Sequence, residues 1–118
     1  MTRDARDRLE DILHAIEEID RRLDEELPDD ALHDALCFHL VVIGEAVKHL
    51  DPATSQQAPE VPWQRIAGLR DMIVHEYFRI ELARIRDIVE RDVPPLRHAV
   101  EALLDGDGNG VRSSSFHP

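Results

Sequence analysis

The residues most capable of chemistry lie close together, between positions 70 and 77 of the 118-residue chain. They are Arg70, Asp71, His75 and Tyr77. A histidine transfers protons near neutral pH, and an arginine stabilises charge on phosphate oxygens through forked hydrogen bonds. Asp71 could orient either of these side chains. Together, these residue types suit the cleavage of RNA through its own 2′-hydroxyl, a reaction that they can carry out without a metal ion.

The spacing of these residues decides how they can meet on a helix. At about 100° per residue, Arg70 and Tyr77 share one stripe, whereas Asp71 and His75 are neighbours on another. Arg70 and His75 therefore diverge within one chain, although the long arginine side chain could reach part of the way. A two-fold dimer could bring Arg70 of one chain to His75 of the other. The alternative interpretation is structural, with Arg70 paired to a carboxylate, His75 on the surface and Tyr77 in the core.

The elements that carry these residues are predicted from apolar residues that recur every three or four positions. Helices are predicted over residues 9–27, about 31–50, 62–80 and 81–104, with a loop at 51–62. Asp29 or Asp30 can cap the second helix. Gly44 lies inside that helix at a cost of about 1 kcal/mol relative to alanine, which predicts close packing against another helix. With no strand pattern, the chain is predicted to be all-α, an up-and-down bundle of four to five helices.

The C-terminal part of the pattern is interrupted twice. Pro94 and Pro95 are predicted to break or kink the last helix, whose apolar pattern then resumes and ends at Leu104. The following residues are rich in Asp, Gly and Ser. We therefore expect a helical-bundle domain over residues 1–104 and a flexible C-terminal tail over residues 105–118.

Charge is distributed unevenly along the chain. The net charge of −11 argues against a general nucleic-acid binder. Residues 65–97, however, contain seven Lys or Arg against six Asp or Glu, so the segment around Arg70 is the least acidic part. Thirteen of the fourteen cations are arginine, which binds phosphate in forked geometry better than lysine. A general bias of composition toward arginine explains this equally well.

The remaining sequence features exclude several classes of site. No apolar run approaches the roughly 18 residues of a membrane span, and no signal peptide is recognisable, so a cytoplasmic protein is expected. The single Cys37 lies among apolar residues and is predicted to be buried. Three Asp/Glu–His pairs have helical spacing but flank their apolar stripes, so neither a metal site nor a cofactor is expected; they are Asp11 with His14, Asp30 with His33, and Glu45 with His49.

Several segments resemble motifs of the HEPN superfamily, and specifically of its HepT-like toxins. Residues 70–77 resemble the family's R-x4-H-x-Y motif, and Phe78 extends the likeness to H-x-Y-F. Further similar segments are Ile43-Gly44-Glu45-Ala46, residues 61–71 around Pro62-Trp63, and Asp92-Val93-Pro94-Pro95-Leu96. In order and spacing, the resemblance covers roughly residues 5–104.

This resemblance implies an all-helical homodimer with a cleft lined by both copies of the motif. It implies a metal-independent endoribonuclease that cleaves RNA, with Arg70, His75 and Asp71 as the site residues. It also implies the toxin of a type II/VII-like toxin–antitoxin system, whose cognate antitoxin is a minimal nucleotidyltransferase. That partner would transfer AMP to Tyr77 and so neutralise the toxin. Glu76 occupies a variable position of the motif, where its carboxylate could repel RNA.

A second class of function stays open at this point. The chain could be a non-enzymatic helical module that binds a nucleotide or a partner protein through the same motif. Its acidic residues 1–34 could dock a basic partner. Nuclease assays on the purified protein separate the two classes.

Overall fold

The computed structural model describes the backbone of residues 1–115 and the side chains as far as Asp107. Every regular element in this part of the chain is an α-helix, which confirms the predicted all-α bundle. The helices are α1 (Arg3–Asp24), α2 (Asp29–Lys48), α3 (Pro52–Ser55), α4 (Trp63–Ala67), α5 (Leu69–Glu76) and α6 (Leu82–Ser115). No helix among the described residues combines the length and the apolar character needed to cross a membrane.

Helices α1 and α2 form a hairpin that supplies much of the core. The hydroxyl of Thr2 accepts a hydrogen bond from the backbone nitrogen of Ala5 at 3.0 Å and so caps α1. The capping of α2 by Asp29 or Asp30 was predicted wrongly, because Pro28 is the N-cap residue and both acids lie inside the first turn. Their charges still favour the helix there, since the N-terminus of a helix carries partial positive charge.

Helix α2 lies at the centre of the bundle and contacts α1, α4, α5 and α6. Leu36, Leu40 and Ile43 are fully buried on it. Cys37 is buried, as predicted. Burial, followed by the nearby charge of Asp34, raises the pKa of the Cys37 thiol to about 11. The thiol is therefore protonated and unreactive at neutral pH.

The predicted third helix is divided, and it is shorter than expected. Gly68 separates α4 from α5, and α5 ends at Glu76 instead of continuing to Ile80. The backbone nitrogens of Arg79 and Ile80 both donate to the Glu76 carbonyl at 2.7 Å, and this tight turn ends the helix. The predicted loop at 51–62 likewise contains the one-turn α3.

Pro94 and Pro95 lie inside α6, so the prediction that they break the helix was wrong. Both prolines are exposed, so water can solvate the two carbonyls that lose their helical hydrogen bonds. On the opposite face, apolar side chains before and after the prolines are buried in one core: Ile85, Ile88, Val89, Val93, Leu96 and Val100. This packing stabilises the helix on both sides of the two prolines.

Helix α6 also continues beyond Leu104, where the apolar pattern ends. Asp107 forms an ion pair with Arg6 of α1, with 3.4 Å between Arg6 Nη2 and Asp107 Oδ2. That contact ties the next turn to the bundle, which the apolar pattern does not reveal. The division into a domain over residues 1–104 and a tail over 105–118 stays a prediction, and residues 116–118 lie outside the described part.

Candidate functional site

Arg70 lies in the first turn of α5, against the glycine of α2. A Cβ atom built on Gly44 would lie 2.9 Å from the Arg70 backbone nitrogen and 3.1 Å from its Cβ. This approach confirms the close packing predicted for Gly44. The side chain of Arg70 stays 42% exposed beside this contact, so its guanidinium is accessible to a ligand.

Two carboxylates hold the Arg70 guanidinium. Its Nη1 donates to Asp71 Oδ1 at 2.9 Å, and its Nε lies 3.4 Å from Glu45 Oε2. The hydrogen bond to Asp71, followed by the charge of Glu45, raises the pKa of Arg70. The cation is therefore fixed in charge and in place, but an incoming phosphate must compete with these two acids.

Asp71 bonds to Arg70 and lies one helical turn before His75. Its hydrogen bond from Arg70 lowers the pKa of Asp71, and the charges of Lys48 and His75 contribute to the same shift. His75 is exposed in the last turn of α5, one helical turn beyond Asp71. The i,i+4 neighbourhood expected from the sequence is thus present, while Arg70 bonds to Asp71 and Glu45 and not to His75.

Tyr77 is the C-cap residue of α5, and its ring is partly buried against the core. Its hydroxyl donates a hydrogen bond to Asp34 of α2. The ring of His33 meets the Tyr77 ring edge-on at 5.6 Å between centroids. His33 Nε2 donates to the carbonyl of Ile80 at 2.8 Å, which also anchors the turn after α5.

Sequence reasoning missed Asp34 as a neighbour of the motif. Asp34 and Glu45 are eleven positions apart on α2, so they lie on one face and are separated by about 16 Å along its axis at 1.5 Å per residue. Glu45 contacts Arg70, and Asp34 contacts Tyr77. Because α5 packs along this face of α2, the two acids on it could have been predicted from the sequence as candidate partners of the motif. The same spacing keeps the Tyr77 hydroxyl away from Arg70 of its own chain.

An apolar groove of about 490 Å³ lies beside this segment. Its exposed apolar side chains are Phe38 at 62%, Val74 at 56% and Phe78 at 96%. Asp34 and Tyr77 also line the groove. We call Phe38, Val74 and Phe78 the apolar patch. Such a cluster of exposed apolar side chains marks an interaction surface.

Two of the three acid–histidine pairs considered for a metal have a member that contacts a residue outside the pair. Glu45 pairs with Arg70 and with His49, and His33 bonds to the Ile80 carbonyl. Among the described residues, no three His, Cys, Asp or Glu side chains are grouped so that they could hold a metal ion.

Comparison of the sequence with known families assigns the chain to one of them. Residues 10–103 match the family model described as Ribonuclease HepT-like. The chain belongs to the HepT-like family. The matched region includes α5 with Arg70 and His75, as well as the segment of α2 that contacts it. Membership in this family makes the chain a ribonuclease, in agreement with the resemblance seen in its motif.

Individual HepT-like relatives agree with this assignment. A Methanocaldococcus jannaschii protein that carries an RNase name is 38% identical over 117 residues, which are 94% of this chain and 97% of that protein. The Thermococcus cleftensis protein named Probable ribonuclease HepT is 35% identical over 87% of this chain and 98% of its own length. A Caldanaerobacter subterraneus protein with an RNase name is 37% identical over 64% of this chain and 68% of its own length. No solved structure matches the chain.

Proposed function

We propose that this HepT-like chain is a metal-independent endoribonuclease in which Arg70 and His75 are catalytic and Asp71 positions Arg70. The observation that carries the proposal is the exposed Arg70 guanidinium, which donates to Asp71 at 2.9 Å from a residue whose backbone packs against Gly44. His75 follows one turn after Asp71 on the same short helix and is exposed. One short helix thereby exposes both a cation and a proton-transfer group.

We infer the following chemistry. His75 accepts the proton of a ribose 2′-hydroxyl as that oxygen attacks the adjacent phosphorus. The bond to the 5′-oxygen breaks, and His75 of a second copy of the chain, acting as the general acid, gives a proton to the leaving oxygen. Arg70 stabilises the charge that gathers on the phosphate oxygens. Asp71 keeps the guanidinium aimed while RNA phosphate takes the place of Glu45, whose contact of 3.4 Å is the longer one.

We propose that the active site forms between two copies of the chain. Arg70 bonds to Asp71 and Glu45, and not to His75, so one copy offers the two catalytic groups separately. The apolar patch adjoins the motif and is largely exposed. A two-fold contact through it would bury these side chains and bring two α5 helices together. Each Arg70 would then lie near the His75 of the other copy.

We further propose that the protein is the toxin of a toxin–antitoxin pair and that a nucleotidyltransferase silences it by transferring AMP to Tyr77. Tyr77 and Asp34 line the groove, and we expect the added nucleotide to lie there. Since about 16 Å of α2 separates the partners of Tyr77 and Arg70, the attached phosphate would act on Arg70 of the second copy. Its negative charge and bulk would exclude RNA from the shared cleft.

The competing function is a binding module without catalysis, and it is favoured by the net charge of −11. The purified chain, incubated with a fluorescent RNA in the presence of EDTA, distinguishes the two. Cleavage that is lost in both Arg70→Ala and His75→Ala supports the ribonuclease. Binding of RNA or nucleotide without cleavage by the wild type supports the module instead.

A further inference from the structure

Asp34 stands outside the Arg70–His75 group, yet it contacts the residue through which we propose regulation. It lies in the second turn of α2, is 63% exposed, and accepts the hydrogen bond of the Tyr77 hydroxyl. A phenol has one hydrogen to donate. Because that hydrogen is given to Asp34, the lone pairs of the oxygen are directed elsewhere and remain free to attack an electrophile.

The phenol is held in this orientation by more than one contact. The edge of His33 packs against the Tyr77 ring, and His33 is itself fixed by the Ile80 carbonyl at 2.8 Å. The ring of Phe78 also lies beside the Tyr77 ring, with centroids 5.1 Å apart. The ring cannot turn its hydroxyl away from Asp34 without losing these contacts. Asp34 and Tyr77 therefore form a preset pair of acceptor and donor.

The charge states of the pair are well defined. The hydrogen bond from Tyr77, followed by the contact of His33 Nδ1 with Asp34 Oδ1 at 3.4 Å, lowers the pKa of Asp34, so its carboxylate is ionised at neutral pH. The same bond raises the pKa of Tyr77, so the phenol is protonated. Cys37 and His33 are the other titratable neighbours, and the thiol is neutral at this pH. A neutral phenol is a weak nucleophile unless a base removes its proton during the attack.

We propose that Asp34 is the general base that accepts the Tyr77 proton when this hydroxyl attacks phosphorus, so that the chain supplies the base for its own nucleotidylation. In the step, the Tyr77 Oη–phosphorus bond forms at the α-phosphate of ATP, the bond to the β-phosphate breaks, and pyrophosphate leaves with its electron pair. The proton passes to Asp34 and then to water. This inference rests on the proposed AMP transfer to Tyr77. An aspartate has the same task in protein kinases, where it accepts the proton of the substrate hydroxyl.

The first test concerns the Asp34–Tyr77 bond and uses the fact that Tyr77 is the only tyrosine. Phenolate absorbance of the full chain as a function of pH reports this residue alone. We expect the pKa of Tyr77 to lie above the ordinary value in the wild type and to fall in Asp34→Asn. Asp30→Asn, which removes another exposed acid of α2, should leave it unchanged. An unchanged Tyr77 titration in Asp34→Asn overturns the proposal.

The second test measures how much Asp34 accelerates the reaction of the Tyr77 hydroxyl with phosphorus, and it needs no partner protein. Diisopropyl fluorophosphate reacts with a phenol as a nucleotide would, because an oxygen–phosphorus bond forms and fluoride leaves. Intact mass spectrometry over time gives the rate of adduct formation, and Tyr77→Phe gives the rate of reaction at residues other than the single tyrosine. The wild-type rate should be constant between the titrations of Asp34 and Tyr77. In Asp34→Asn it should fall by about 10²-fold or more at neutral pH and rise tenfold per pH unit.

Asp34→Glu should recover part of the rate, since it restores the carboxylate. An Asp34→Asn protein that reacts as fast as the wild type, or faster, overturns the proposal, because Asp34 would then only mask the hydroxyl. Absence of any wild-type adduct overturns it as well. RNA cleavage by Asp34→Asn should match the wild type, since Asp34 does not contact Arg70 or His75. If the wild type does not cleave RNA, the proposed ribonuclease function is refuted. The rate of adduct formation at Tyr77 still tests the role of Asp34 independently.

Discussion

Gly44 and Arg70 meet through their backbones. A Cβ atom at position 44 would lie 2.9 Å from the Arg70 nitrogen and 3.2 Å from the Ile66 carbonyl oxygen, distances that real Cβ atoms rarely or never adopt. Helix α2 can therefore approach the junction of α4 and α5 only where it has no side chain. Glu45, the next residue of α2, then reaches the Arg70 guanidinium. One contact thus sets both the position and the charge environment of this arginine.

Gly44→Ala should lower the free energy of unfolding by about 1 kcal/mol, because an overpacking cost of about 1–3 kcal/mol exceeds the gain of about 1 kcal/mol in helix propensity. It should also reduce RNA cleavage, since the Arg70 backbone must move. Gly68→Ala is the matched control, because its Cβ would meet nothing closer than 3.4 Å. Urea unfolding of both variants and the wild type measures the change in the free energy of unfolding. An equally stable or more stable Gly44→Ala protein would contradict the role assigned to this contact.

Arg70→Ala and His75→Ala should each lower RNA cleavage by about 10²-fold or more, because each removes a group that acts in the transition state. Growth inhibition on expression should be lost in parallel. Arg79→Ala and His98→Ala are matched controls, since both residues are exposed and lie outside the proposed site. Circular dichroism checks that all four proteins are folded. Full toxicity of either motif variant, or loss of wild-type cleavage in EDTA, would contradict the assignment.

The chain should be a homodimer at micromolar concentration, and Phe78→Ser should weaken it. Phe78 is 96% exposed in one copy, so burying it in a contact removes a large apolar surface from water. Light scattering combined with size exclusion gives the mass. Leu23→Ser, on α1 and outside the apolar patch, should leave the dimer intact. A monomeric wild type would refute the composite site.

Tyr77→Phe should remain folded and active on RNA but escape modification. The variant removes only the hydroxyl, and its partner Asp34 is 63% exposed and can be solvated by water instead. Intact mass spectrometry after incubation with a partner nucleotidyltransferase and ATP should show added AMP on the wild type alone. An equal adduct on the phenylalanine variant would place the modification at another residue.

Asp92→Asn should lower the free energy of unfolding by about 1–3 kcal/mol, since it removes a buried carboxylate bonded to Arg65 at 2.5 Å and to Arg91 at 3.0 Å. Burial alone would raise the pKa of Asp92, but the hydrogen bonds from Arg91 and Arg65 outweigh it, and the pKa is lowered. The stabilisation is therefore complete above the unfolded carboxyl pKa of about 3.9 and is lost as the pH falls through the lower folded value.

The difference in the free energy of unfolding between Asp92→Asn and wild type should accordingly be constant near neutral pH and become smaller below about pH 4. Asp20→Asn provides the control, because Asp20 forms an exposed pair with Arg97 that should contribute little. Thermal unfolding at several pH values measures both. A difference that does not change with pH would show that Asp92 contributes through packing and not through its charge.

Much of this fold was predictable because the helices of a bundle bury periodic apolar stripes. The periodicity predicted α1, α2 and α6, and the cost of a helix-interior glycine predicted the contact at Gly44. Periodicity could not show that Pro94 and Pro95 would be tolerated, since that depends on both facing solvent. Nor could it divide the third helix at Gly68, where the backbone stays helical and only the hydrogen bonding changes.

For the site, the sequence supplied Arg70, Asp71, His75 and Tyr77, whose order along one helix fixes their neighbours. It did not supply the partners on α2, because the pairing of Asp34 with Tyr77 depends on how two helices pack. The signal was limited to two acids on one face of α2. Their correspondence with a cation and a phenol on α5 becomes visible only when the two helices are placed side by side.

The shortness of α5 has a consequence for local stability. The helix has eight residues and buries only Leu69 and Ile73, whereas isolated helices shorter than about 12–15 residues are marginal in water. Helix α5 is therefore stabilised mainly by its packing against α2, and it should unfold locally far more often than the α1–α2 hairpin. In amide hydrogen exchange, the segment bearing Arg70 and His75 should exchange early, while the centre of α2 persists until the whole molecule unfolds.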